Sequence, residues 1–137
     1  MSKLALGARL LLGLIFVVFG LNGLLNFLPM PEPEPAAGAF MGAMMETGYL
    51  WPLLKIVEIT AGAFLLSGKF VPLGIVMLAP AAIPILGFGL FVAPSGLVMG
   101  LVVIILWLVL VVAYWRHFAG LLNANAKVAE AVGVEGE

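Results

Sequence analysis

The sequence predicts an all-α membrane protein, a four-transmembrane-helix bundle with a short interfacial helix between helices 1 and 2. Three observations predict it. Apolar stretches at about 4–28, 51–68, 71–93 and 97–118 take up most of the 137 residues. As helices rising ~1.5 Å per residue, each spans the ~30 Å hydrocarbon core of a bilayer, the second only just. The chain is 64% hydrophobic and 9% charged, with mean hydropathy +1.26, whereas a soluble domain carries about one-quarter charged residues. Lys3 and Arg9 open the first stretch, Lys69 lies between the second and third, and Arg116 and Lys127 follow the fourth, while the opposite connections carry only Glu32, Glu34 and Glu46. That alternation places both termini in the cytoplasm. Four spans form one bundle, so residues 1–137 read as a single membrane domain.

The first span follows two cations, as a signal peptide would, but its nearest small-residue cluster, Ala36 to Ala39, lies beyond four prolines. It is expected to be an uncleaved helix. Its Gly7, Gly13, Gly20 and Gly23 read as close-packing positions.

Residues 29–50 form the outer connection. Pro29, Pro31, Pro33 and Pro35 alternate along it and favour an extended, polyproline-like strap. From Ala36 to Thr47, Phe40, Met41, Met44 and Met45 recur at helical spacing, and Gly48 suits the position after a helix end. This short interfacial helix is expected to plug the outer end of the bundle; the competing reading is a mobile lid with adaptable methionines.

Tyr49, Trp51 and Pro52 start the second span, aromatic rings at headgroup level and proline in the first turn. In the third span, Pro80 and Pro84 and then Gly87 and Gly89 predict a kinked outer half that presents carbonyls and widens a pocket, with Pro84, Gly87 and Gly89 shaping it. Membrane helices also tolerate such residues without consequence. Tyr114 and Trp115 anchor the fourth span at the other face. The tail, 119–137, is expected to hold a frayed cytoplasmic helix from Asn123 onward.

The candidate site is in the second span. Lys55 and Glu58 are three residues apart and share a helix face. Ionisable groups at membrane depth are expensive and mark function by default, although a buried ion pair can also do no more than fix packing. Lys55 lies one turn nearer the outside and can snorkel outward, leaving Glu58 in need of hydrogen bonds or a proton. Asn22 and Asn26, four apart in the first span, are expected at the same depth, so that four polar side chains converge in the outer half. Helix–helix hydrogen bonding is the alternative for the asparagines.

Composition excludes several functions. The absence of cysteine rules out disulfides, thiolate metal sites and dithiol electron shuttling. A net charge of −1 without basic runs argues against nucleic acid. His117, the only histidine, stands beside Arg116 at the cytoplasmic end of the fourth span and reads as an interfacial anchor. No metal-ligand cluster, catalytic triad, Walker loop or dinucleotide fingerprint is present, so no metal site is expected.

The runs Ala8-Arg9-Leu10-Leu11-Leu12-Gly13-Leu14-Ile15-Phe16 and Phe19-Gly20-Leu21-Asn22-Gly23 resemble the first helix of the DoxX-like family of small bacterial membrane proteins. The resemblance continues through Pro52-Leu53-Leu54-Lys55 with Glu58, Gly68-Lys69-Phe70-Val71-Pro72-Leu73 and Ala93-Pro94-Ser95-Gly96. It implies a four-helix bundle in a bacterial inner membrane and a redox-adjacent, quinone-linked setting, because relatives include a subunit of thiosulfate:quinone oxidoreductase. It also implies that Lys55 and Glu58 form the site. The chain departs from the pattern at Asn26, where relatives often carry histidine, and near Pro84 and Gly89, where they often carry asparagine and histidine. A metal or haem role is therefore not expected.

The leading expectation is a non-catalytic subunit or binding module of a membrane redox system. It would hold a quinone-like or other lipophilic molecule in an outer-half pocket, Lys55 and Asn22 donating to a carbonyl and Glu58 handling the proton. Partners would be the bilayer and a membrane redox protein or a second copy. The alternatives are a structural or assembly protein whose polar cluster only fixes packing and, last, a proton-coupled transporter, against which stands the lack of an inverted repeat.

Overall fold

In the computed structural model, which describes residues 2–29 and 32–128, helix α1 (Lys3–Leu25) starts at Ser2, whose hydroxyl accepts the Ala5 N–H at 3.1 Å. The apolar run continues to Leu28, but the helix stops at Asn26, which adopts the left-handed conformation (φ 52°) that asparagine tolerates. Its N–H donates to the Asn22 carbonyl at 2.8 Å.

Helix α2 (Pro35–Glu46) begins with proline in its first turn and gives way to a reversal at Gly48, where φ is 81°. Thr47 there accepts the Leu50 N–H at 3.0 Å and so caps α3 (Leu50–Ser67). Gly68, at φ 78°, ends α3. Helix α4 (Val71–Phe91) runs through both Pro80 and Pro84. Proline has no N–H, so the carbonyls of Val76 and Pro80 lose their usual helical donors.

A 3-10 turn (Pro94–Gly96) leads into α5 (Leu97–Ala113). The fourth apolar stretch extends to Phe118, but Tyr114 breaks the α-helix and a 3-10 segment, Trp115–Leu122, follows. Its exposed Trp115 and Leu121 and buried Phe118 put apolar groups on both sides. The expected tail helix is not formed over residues 123–128, where Asn123 accepts the Asn125 N–H at 3.0 Å in a local turn. The rest of that expectation, 129–137, lies outside the described residues, as does Pro31 of the proline strap.

Among the described residues there is no strand. Helices α1, α3, α4 and α5 with its preceding turn, at 23, 18, 21 and 20 residues, are long and apolar enough to cross a membrane. The chain is a multi-pass, all-helical membrane protein, and large exposed apolar side chains such as Phe91, Val98 and Val112 suit a lipid environment. The four helices are arranged in a ring, α1 against α3, α3 against α4, α4 against α5, and α5 back against α1. Successive spans run antiparallel, which gathers Lys3, Arg9, Lys69 and Arg116 at one end, the basic end, and Glu32, Glu34 and Glu46 at the other, the acidic end.

Close packing of α1 on α3 depends on two facing glycines. A Cβ on Gly13 would lie 2.9 Å from the Gly62 carbonyl oxygen, and one on Gly62 would lie 2.9 Å from the Gly13 carbonyl. Backbones meet here because neither residue has a side chain. A continuous core containing Leu12, Phe16, Leu65, Ile75, Leu78 and Leu110 fills the middle and the basic end. Trp107 pins α5 to α4 by donating its indole N–H to the Ile75 carbonyl at 2.9 Å. The acidic end is packed differently, and that difference makes room for the site.

Candidate functional site: a charged pair in an apolar cavity

Residues Trp51, Lys55 and Glu58 follow one another at spacings of four and three on α3, so they form one stripe. Glu58 is ~12 Å along the helix from Leu50, near its middle. The Lys55 ammonium lies 3.3 Å from Glu58 Oε2, and the two side chains are 14% and 8% exposed. The same ammonium sits 4.5 Å from the centre of the Trp51 ring, within range of the attraction between a cation and an aromatic face. Lys55 therefore does not simply snorkel outward. Its charge is held between a ring one turn towards the acidic end and a carboxylate one turn deeper.

Helix α1 supplies the seat. The Lys55 stem crosses Gly23, where an added Cβ would come within 2.7 Å of Cε and 2.8 Å of Cδ. Because α1 ends at Leu25, the Gly23 carbonyl is one of the four terminal acceptors without an intrahelical donor. The Trp51 indole N–H fills that role at 2.9 Å. Gly23 and Trp51 thus position Lys55, a role the sequence signals only weakly, since Gly23 reads as close packing and Trp51 as an interfacial ring.

A cavity of about 540 Å³ opens beside this stripe. Helix α2 contributes Phe40, Met41 and Met44; α3 contributes Leu50, Trp51, Leu54, Lys55 and Glu58; α4 contributes Pro80, Ala81, Pro84, Ile85, Phe88 and Gly89; Gly96 and Met99 complete it. Only Lys55 and Glu58 among these carry charge. Phe40 of α2 and Phe88 of α4 both line it and touch each other, with ring centres 5.7 Å apart. Helix α2 is thus a wall of the cavity and does not fill the end of the bundle as a plug would; among its side chains only Ala37 is buried. Glu34, just before α2, accepts the Ser95 N–H at 3.2 Å and so ties the start of that helix to the turn before α5.

The other expected site residues are distributed differently. Pro84 and Gly89 line the cavity, and Gly89 also lets α4 approach Leu97, whose Cα would lie 2.8 Å from an added Cβ. Gly87 is not among the lining residues. Asn22 is buried but does not line the cavity, and its side-chain oxygen accepts the Leu28 N–H at 2.7 Å at the end of α1. Asn26 is exposed, because the left-handed turn that ends the helix carries it off the helical face. The four-way polar convergence therefore reduces to Lys55 and Glu58, with Trp51 added. No group of three or more potential metal ligands occurs among the described residues. His117 is exposed at the basic end, its ring 6.0 Å from that of Tyr114.

Fold and site together define a small helical membrane bundle with an ion pair on the wall of an apolar cavity. No family model, curated protein or solved structure matches the chain.

Proposed function

We propose that this protein is a binding module of a bacterial inner-membrane redox system, a DoxX-like protein that holds a quinone-like or other lipophilic small molecule at the acidic end of its bundle. The observation that carries the reading is the cavity of about 540 Å³, apolar and sulfur-rich except for the Lys55–Glu58 pair. Ligand sites for small molecules are of this size and pair apolar walls with few polar groups. Lys55 is the donor to a ligand carbonyl and Glu58 the group that exchanges a proton. Asn22 drops out of that scheme because it is not among the residues that line the cavity. In this reading the module acts within a larger redox assembly or beside a second copy of the chain.

The distribution of Lys and Arg supports a cytoplasmic basic end, with both termini on that side and the cavity facing the outer half of the bilayer. A structural or assembly role is the second reading, and one observation favours it: Lys55 and Glu58 already neutralise each other. Native mass spectrometry of the protein released from mild detergent, with organic extraction of what remains bound, separates the two. A stoichiometric quinone or other small lipid that is lost in Lys55→Met supports the binding module. A bare protein, or one carrying only bulk phospholipid, supports the structural reading.

A further inference from the structure

The ion pair has hydrogen-bonding capacity left over, and its arrangement limits what can use it. An ammonium has three N–H donors and a carboxylate two acceptor oxygens. Lys55 commits one donor to Glu58 Oε2 and turns towards the Trp51 face. Among the described residues no protein group donates to Glu58 Oε1, and that oxygen is not sealed from the cavity, since the only fully enclosed side-chain polar atom without a partner is Arg9 Nε. Both residues line the same cavity. One donor and one acceptor are therefore offered side by side by a pair whose net charge is zero.

An anion placed there would face the Glu58 carboxylate, and a cation would face Lys55; either would have to break the pair in low dielectric, where an unpaired charge is costly. A carbonyl oxygen uses only the donor. A hydroxyl uses both, accepting from Lys55 Nζ while donating to Glu58 Oε1. The surroundings choose among hydroxyls, because Trp51, Phe40 and Phe88 offer aromatic faces and Met41, Met44 and Met99 offer thioethers, which favour an aromatic ring over an alkyl alcohol.

Resting on the binding reading above, we infer that the ligand's polar end is a neutral aromatic hydroxyl, a phenol or the reduced, hydroquinone form of a quinone-like molecule, bridging Lys55 Nζ and Glu58 Oε1. Binding alone is asserted, with no electron transfer at this site.

The test uses the full chain in lipid nanodiscs, with empty nanodiscs to subtract partition into lipid. Retention of 4-decylphenol, its methyl ether 4-decylanisole, 4-decylbenzoate and a decyl-substituted benzoquinone is measured by equilibrium pull-down. The phenol is expected to bind about tenfold more tightly than the methyl ether, the increment of one hydrogen bond to a charged group, and more tightly than the benzoate or the benzoquinone. Lys55→Met combined with Glu58→Met removes the pair without leaving a lone charge, and is expected to bind phenol and ether alike. Equal binding of phenol and ether by the native chain overturns this inference and leaves the cavity as a lipophile site. Tighter binding of benzoate or benzoquinone overturns it too, as does a phenol preference that survives in the double variant. Retention of none of the four above the empty discs removes the binding reading itself, and this inference with it.

Discussion

Trp51 donates its indole N–H to the Gly23 carbonyl at 2.9 Å while its ring carries the Lys55 ammonium at 4.5 Å. One side chain thereby joins α1 to α3 and holds the charge at the cavity wall. Trp51→Phe keeps a ring and removes the N–H. It is expected to destabilise the bundle by about 1 kcal/mol, the typical net value of one hydrogen bond, measured by unfolding in bicelles.

Gly23→Ala and Gly13→Ala should differ in kind. At Gly23 the added methyl meets the flexible Lys55 stem at 2.7 Å, so the fold is expected to survive while Lys55 moves off Glu58 and ligand retention falls. At Gly13 it meets the Gly62 backbone at 2.9 Å and the helices must separate. A loss of about 1–3 kcal/mol is expected there, as for other overpacked interiors. Paired stability and retention measurements check both; equal loss of stability would refute the distinction.

Removing either charge alone should harm more than removing both. Lys55→Met leaves a carboxylate, and Glu58→Leu an ammonium, without the partner now 3.3 Å away. Each single change is expected to cost about 3 kcal/mol, and the double variant to be close to native. A double-mutant cycle on unfolding free energies reads the difference, and additive losses would contradict it.

Asn22→Leu is expected to leave ligand retention unchanged and to shorten the ordered end of α1. Its side chain serves the Leu28 N–H, and the loss of such a cap costs about 1 kcal/mol. Reduced retention without loss of stability would instead return Asn22 to the site.

Glu34→Ala should speed exchange of a bound molecule without abolishing binding, because Glu34 ties the strap before α2 to Ser95 and touches no lining charge. Stopped-flow displacement is the measurement. An unchanged release rate would mean that α2 is a fixed wall.

The spans were legible because bilayer thickness imposes helix lengths on any sequence that crosses it, and because cations gather at alternate boundaries. The short helix before Gly48 was also legible, from Met and Phe spacing. Helix ends were less so: α1 stops at Asn26 and α5 at Ala113, although apolar residues continue past both. Hydropathy does not register a left-handed asparagine or the break at Tyr114. At the site, Lys55 and Glu58 stood out because charges in an apolar run are rare. Asn22 and Asn26 misled, because depth along a helix says nothing about which backbone groups a side chain must satisfy at that helix's end.

By itself the sequence determined a helical membrane bundle, its antiparallel order and the adjacency of Lys55 and Glu58, because each follows from local spacing or from the cost of polar groups in lipid. Only the tertiary structure decided that Gly23 and Trp51 hold Lys55 in place, that α2 and the two prolines of α4 wall a cavity of about 540 Å³, and that Asn22 and Asn26 lie outside it. The first two relationships join residues far apart in the chain, and the third depends on where a helix ends; the periodicity of one sequence encodes neither.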